Sequence, residues 1–309
     1  MTARELIWGN DAGVQGARDK LDDKVQELLW SDSELIGCAN TVLNEWCRET
    51  GCLRDDKTTA ICQIPLLANV LTYPMDNRII QIHNGWLDSG WAHIDVKDEI
   101  WLDRHVYMWR KQGGDQRFIL PDYSSGYMKV ARFPKPERGY FSGAFTFAAA
   151  SNSITQTGTN FTVLVPGDKI VVSGTVLNGT TAAPSTFTIV TSQLNFVTVI
   201  ETIADESAAA AAISKIVDNL NISVSRLPLN QLTLANWDTQ SPEIRFDYHP
   251  YLIEGILREA YQKQDSQCLD VNKSEEHGKN FQKAKDKAYN EIQRLRQGPT
   301  VFIPNPGRL

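Results

Sequence analysis

Three histidines, His83, His93 and His105, lie within one short stretch of the chain, and three imidazoles would suffice to hold a catalytic zinc. Their spacing follows no short ligand motif, and no carboxylate can be assigned to orient the rings, so structural or surface roles are expected. Asp95, Asp98, Glu99 and Asp103 are the raw material of a glycosidase acid and base, yet a carboxylate pair carries little information without its separation. Five cysteines, Cys38, Cys47, Cys52, Cys62 and Cys268, make an odd count with no C-x-x-C spacing, which encodes neither a disulfide framework nor a zinc ribbon. Cys47 and Cys52 would need further convergent ligands to hold zinc, so free thiols are expected. Trp86, Trp91, Trp101 and Trp109 could form a sugar-stacking platform; core or subunit-interface filling is the preferred reading, because large aromatics dominate both. No phosphate loop, dinucleotide fingerprint, metalloprotease helix or nucleophile elbow occurs, and Val165 to Ile170 reads as a turn entering a strand. No catalytic residue, cofactor or metal is expected.

The balance of 42% hydrophobic and 22% charged residues excludes disorder, collagen and a coiled-coil rod. Lys and Arg number 31 against 37 Asp and Glu, a net charge of −6, so no chain-wide positive field exists to grip phosphates or anionic lipid. No apolar run approaches the roughly 20 residues of a membrane span. Met1 to Glu5 leads into no signal-like apolar core, so synthesis and retention in a cytosol-like compartment are expected.

The elements that must position these residues fall into three blocks. Residues 17 to 50 predict two helices: Ala17, Leu21, Val25 and Leu28/Leu29 recur at helical spacing, with Asp19, Lys20, Asp22, Asp23 and Lys24 on a solvated side. Ser31 and Glu34 have capping-box spacing, Trp30 and Leu35 sit where a hydrophobic staple would close the turn, and Gly51 stops the second helix. From Thr58 to Phe141, strands are expected at Ala60 to Ile64, Val70 to Tyr73, Arg78 to His83, Glu99 to Leu102 and Tyr127 to Phe133.

Composition shifts at Ser142. Residues 142–220 predict a separate all-β domain, an immunoglobulin-like sandwich, with strands at Asn160 to Val165, Lys169 to Ser173, Thr186 to Thr191 and Phe196 to Glu201. The alanine-rich run Asp205 to Val217 fits a helix by propensity and a strand by context. A further strand, Asn221 to Leu227, follows, so the β domain reads as an insertion in a core of residues 1–141 and 221–297. Pro250 opens a helix with Ile253, Leu257 and Tyr261 on one ridge, and His277, Phe281, Ala284, Ala288, Ile292 and Leu295 mark a longer one with a basic flank. The fold class expected is α+β: a helical-bundle core with a small β module and an inserted β domain. Residues 298–309 carry three prolines around Val301, Phe302 and Ile303, an extended segment too apolar to remain idle in solvent.

The chain resembles the head-to-tail connector (adaptor, or tail accessory) proteins of short-tailed bacteriophages. The residues that carry the resemblance are Leu28-Leu29-Trp30-Ser31-Asp32-Ser33-Glu34-Leu35 with Asn44-Glu45, Val224 to Leu229, Pro242-Glu243-Ile244, Tyr248 to Leu252, Ala260-Tyr261, Gln264-Asp265 and the His277 to Phe281 helix. It spans residues 17 to 141 and 221 to 296. The insertion separately resembles small immunoglobulin-like or tail-associated β domains through Phe161-Thr162 and Gly167 to Gly174. The resemblance implies a non-enzymatic virion protein, made in the host cytoplasm. It implies a homo-oligomeric ring, commonly of twelve copies, below the portal protein and above the tail nozzle or other tail proteins, with genomic DNA passing through unbound and no membrane partner. It implies portal docking by Thr300, Val301, Phe302, Ile303, Pro304, Asn305, Pro306, Arg308 and Leu309. Subunit contacts are expected at Trp46, Phe281, Ile292 and Leu295. A carbohydrate-binding or wall-degrading phage tail protein is the alternative, suggested by the tryptophans and scattered carboxylates.

Overall fold

The fold is mixed α and β. The structure, a computed structural model, describes all residues except 11, 12, 14, 25–27, 115, 133, 136–138, 181, 182, 265–267 and 298–309, together with all side chains of those residues except 91, 92, 209 and 297. The chain opens with helices α1 (Ala3–Trp8), α2 (Ala17–Leu21) and α3 (Asp32–Thr50). A short strand β1 (Arg54–Asp55) and a helical turn α4 (Thr59–Cys62) lead to β2 (Gln63–Leu67), β3 (Thr72–Pro74), β4 (Ile79–Leu87) and β5 (Gly90–Val96). Helix α5 (Glu99–His105) precedes β6 (Phe118–Asp122), β7 (Tyr127–Ala131), β8 (Tyr140–Ala148), β9 (Ser153–Thr155), β10 (Lys169–Ser173), β11 (Ser185–Ser192), β12 (Phe196–Val199) and β13 (Glu206–Arg226). Helices α6 (His249–Ala260) and α7 (Val271–Gln297) complete the described elements. They divide into two compact units, one of residues 1–54, 78–81 and 225–309, the other of residues 55–77 and 82–224. The compositional boundaries at 142 and 220 both fall within the second.

The first unit is built on helices. Ser31 caps α3: its hydroxyl accepts the Glu34 N–H at 3.2 Å and the Glu34 carboxylate accepts the Ser31 N–H at 2.7 Å, the reciprocal box the spacing predicts. Trp30 and Leu35 are both buried beside it, and Gly51 ends the helix at φ 58°. Helix α2 is shorter than expected. It stops at Asp22 in the left-handed region, and Asp23 turns inward instead of continuing a solvated face, because its carboxylate binds the fully buried Arg18 at 2.5 Å. Leu35, Ala39, Val42, Leu43 and Trp46 of α3 meet Leu252, Ile253, Ile256 and Leu257 of α6 and Phe281, Ala284 and Ala288 of α7 in one core. Gly255 permits the α6 crossing: a Cβ there would lie 2.4 Å from Val42 and 3.1 Å from Phe281.

The second unit is organised by β13, 21 residues long. The alanine-rich run is therefore strand, and Asn221 to Arg226 continue it; backbone pairing on both edges overrides helix propensity. Its first half pairs with β8 (Ile213 opposite Phe141) and, on the other edge, with β10 (Ile213 opposite Val172). Since β10 pairs β11, β11 pairs β12, β12 pairs β9 and β9 pairs β8, six antiparallel strands close a circuit. The expected two-sheet sandwich is instead a barrel of Greek-key order, in which closure leaves no free edge. Alternation supplies its filling: Ile170 and Val172 from β10, Phe187 and Ile189 from β11, Val197 and Val199 from β12 all point inward with Phe145, Phe147 and Phe161. Asn160 to Val165 is not a strand but contains a 3-10 turn, Phe161–Val163, because the Asn160 side chain accepts the Thr162 N–H at 3.1 Å and curls the chain.

The second half of β13 pairs with β2 on one edge and with β4 on the other, and β4 continues the sheet through β5, β6, β7 and β3. Strands β5 and β6 are parallel, which requires a crossover, and α5 lies in it. Glu99 to Leu102 is accordingly helix and not strand: the Asp98 carboxylate caps it by accepting the Trp101 N–H at 2.6 Å. Ala60 to Cys62 likewise form a helical turn before β2 starts at Gln63.

Candidate interaction surfaces

The residues that suggested metal or acid–base chemistry are not gathered. Among the described residues no three of His, Cys, Asp or Glu form a group fit to hold a metal. His93 Nδ1 pairs with Asp95 at 3.2 Å on the surface, while His105 Nδ1 lies 2.7 Å from the Trp101 carbonyl. Glu99 binds Lys129 and Arg110, and Asp103 binds Arg110 and the Trp109 indole N–H. Lys129 first, and then Arg110 against opposing burial, hold the Glu99 carboxyl below its usual range; Arg110 and Trp109 do the same for Asp103. Both carboxylates are held ionised, which is the wrong state for a general acid at neutral pH.

The tryptophans serve different elements. Trp109 is buried with Leu102, Leu120 and Ala131, and Trp101 stacks on His105 at 4.5 Å and packs against Phe118. Trp86, with Leu87, Asp88 and Gly90, lines a cleft of about 400 Å³ at the tip of the β4–β5 hairpin. Beside it Asp88 accepts the Asn219 amide at 2.9 Å and that of Asn221.

Of the expected subunit contacts, Trp46 and Phe281 are each 0% exposed. Their rings pack on one another at 5.7 Å, and Trp46 also meets Tyr248 at 5.4 Å, so their apolar area is spent inside their own unit. Ile292 is half-buried, and Leu295 is 61% exposed on the last turns of α7. The expected docking residues Thr300 to Leu309 lie outside the described residues.

One exposed apolar feature was not expected from the sequence. Val176 and Leu177, between β10 and β11, are 81% and 63% exposed, yet their backbone is held. The Glu206 carboxylate accepts the N–H groups of Val176, Leu177 and Asn178 at 2.6, 3.0 and 3.2 Å. Burial alone would raise the Glu206 pKa, but these backbone bonds prevail and hold it below its usual value. Buried Asn178 clamps the turn, exchanging hydrogen bonds with both the N–H and the carbonyl of Ala204 at 2.7 and 2.9 Å. The turn therefore presents two aliphatic side chains at little further ordering cost. The rigidity of this turn depends on the distant Glu206.

No family model matches the chain, and no curated protein matches it. Several of the residues singled out from the sequence touch one another within the first unit. The Trp30 indole N–H donates to the Ala260 carbonyl at 3.0 Å, its ring meets Tyr261 edge-on at 6.2 Å, and Tyr261 stacks on His277 at 5.8 Å. Glu45 binds Arg258 and Lys285, joining α3 to α6 and α7. His249 Nε2 donates to Ile244 at 3.0 Å, and Glu243 binds Arg226 at 2.8 Å and accepts the Leu229 N–H at 2.7 Å.

Proposed function

We propose that this chain is a structural protein of a tailed-phage virion, a head-to-tail connector that forms a ring between portal and tail. The observation that carries this reading is that several of the segments that resemble the connectors touch one another: Trp30 meets Ala260 and Tyr261, Tyr261 stacks on His277, and Arg226 and Leu229 bind Glu243. In this reading the helical unit is the adaptor core, and the β insertion, here a barrel, is a tail-associated decoration.

Physical chemistry supports the assignment. A subunit of net charge −6, repeated around a ring, repels the phosphates of passing DNA instead of retaining them by counterion release. Leu295 and the Val176–Leu177 turn offer apolar contact area on supported backbone, as a protein of an assembly needs. Heterologous contacts between copies close into a ring when the rotation fits. Electron microscopy of purified virions with copy counting by mass spectrometry tests the reading. A ring of this mass beneath the portal is expected, and a location away from the neck would overturn it.

A carbohydrate-binding tail protein is the second reading, favoured by the cleft beside Trp86 with Asp88, Asn219 and Asn221 at its edge. A glycan array separates the two: selective glycan capture that is lost in Trp86→Ala supports this second role.

A further inference from the structure

The stop of α3 on Gly51 sends the glycine N–H to the carbonyl of Cys47 at 2.9 Å. A left-handed stop of this kind brings the residue four before the glycine into contact with the residue just after it, a place usually filled by two apolar side chains. Here both are cysteines, Cys47 and Cys52, and their Sγ atoms lie 3.9 Å apart. Cys47 is enclosed and Cys52 half-buried. The hydrogen bond with Cys47 holds the Cys52 thiol below its ordinary pKa against the effect of burial, while the same bond, together with burial, pushes Cys47 far above. Among the described residues nothing completes a metal site around them.

We propose that Cys47 and Cys52 are a modification site, closing an intrachain disulfide across the C-terminal stop of α3 when the chain meets an oxidising low-molecular-weight disulfide. The Cys52 thiolate attacks one sulfur of glutathione disulfide, breaking that S–S bond and releasing one glutathione thiolate, which takes up a proton. The Cys47 thiol then loses its proton and attacks the Cys52 sulfur, breaking the mixed disulfide and expelling the second glutathione thiolate, which takes up a proton. Two protein thiols are oxidised to one disulfide, and one glutathione disulfide is reduced to two thiols. The sulfurs must close to about 2.05 Å, a side-chain movement within a contact the helix stop already makes.

The linkage would stiffen a junction. The Gly51 carbonyl accepts the Arg296 guanidinium from the last turn of α7 and the Ser225 hydroxyl at 3.4 Å. The inference is independent of the connector reading.

The test equilibrates the full chain in glutathione buffers from reducing to oxidising, alkylates the remaining thiols and maps the peptides. Trypsin cuts after Arg48, so the closed form appears as two peptides joined through Cys47 and Cys52. Joint loss of these two thiols is expected, with Cys38, Cys62 and Cys268 still alkylated and a melting midpoint that rises on oxidation and falls back with reductant. Cys52→Ser should abolish that rise, and Cys47→Ser should trap glutathione on Cys52. Five alkylatable thiols at the most oxidising ratio with native circular dichroism, Cys52 joined to a different cysteine, or a Cys47→Ser variant that takes up no glutathione would each overturn the proposal.

Discussion

Arg18 is the residue on which the entry into α3 depends. It is 0% exposed, and its guanidinium binds Asp23 at 2.5 Å, Asp32 at 2.8 Å and the Trp30 carbonyl at 2.7 Å, with the Trp8 ring 4.6 Å away. Asp23 in turn accepts the N–H groups of Leu29 and Trp30. Arg18→Met leaves Asp23 buried without its cation, and a loss of about 3–5 kcal/mol is expected in denaturant unfolding. None of this was legible in the sequence, where Asp23 reads as one more charge on a polar face. Glu45 makes a second prediction. Burial would raise its pKa, but Arg258 and Lys285 prevail and hold it at about 2, against 4.5 for the free side chain. Its contribution is therefore complete above about 4.5 and is lost as the pH falls toward 2. Melting midpoints of the protein should fall between about pH 4.5 and pH 2, and Glu45→Gln, already destabilised at pH 7, should show a shallower fall.

At the scale of elements, local signals were reliable where the whole instruction sits within a few residues. The Ser31–Glu34 box and the Gly51 stop delimit α3 as read from sequence. Ser31→Ala should cost about 1 kcal/mol in thermal or denaturant unfolding, since an orphan N–H loses its acceptor. Reading failed where a distant partner decides. Glu99 to Leu102 reads as a strand from its β-branched and aromatic residues but lies in the crossover between parallel β5 and β6, and the Asp98 cap makes it helix. Asp205 to Val217 fits a helix by propensity and a strand by context, and pairing on both edges decides for strand. Gly255 extends the point to packing: alanine there improves helix propensity by about 1 kcal/mol but forces a methyl into Val42. Gly255→Ala is expected to lower stability by about 1–2 kcal/mol net, with the overpacking term the larger.

For the whole molecule, two predictions follow from the proposed connector role. Replacing Val176 and Leu177 together with serine, which adds no charge beside Glu206, should leave unfolding free energy within about 0.5 kcal/mol, since neither side chain is buried. The same variant should be recruited into particles less well, measured as copies per virion. Deleting Thr300 to Leu309 should abolish binding to the portal in a pull-down, and undiminished binding would refute a docking role for that segment. What the sequence by itself determined was the mixed α and β class, the limits of α3, the start of α6 and most of α7, and strands β10, β11 and β12, because periodicity, caps and turn residues act over a few positions. Only the tertiary structure decided that six strands close into a barrel, that one 21-residue strand crosses the insertion boundary, and that Trp46 and Phe281 face inward. Those outcomes depend on which edges and faces meet, and residues far apart in the chain settle that through hydrogen-bond pairing and burial.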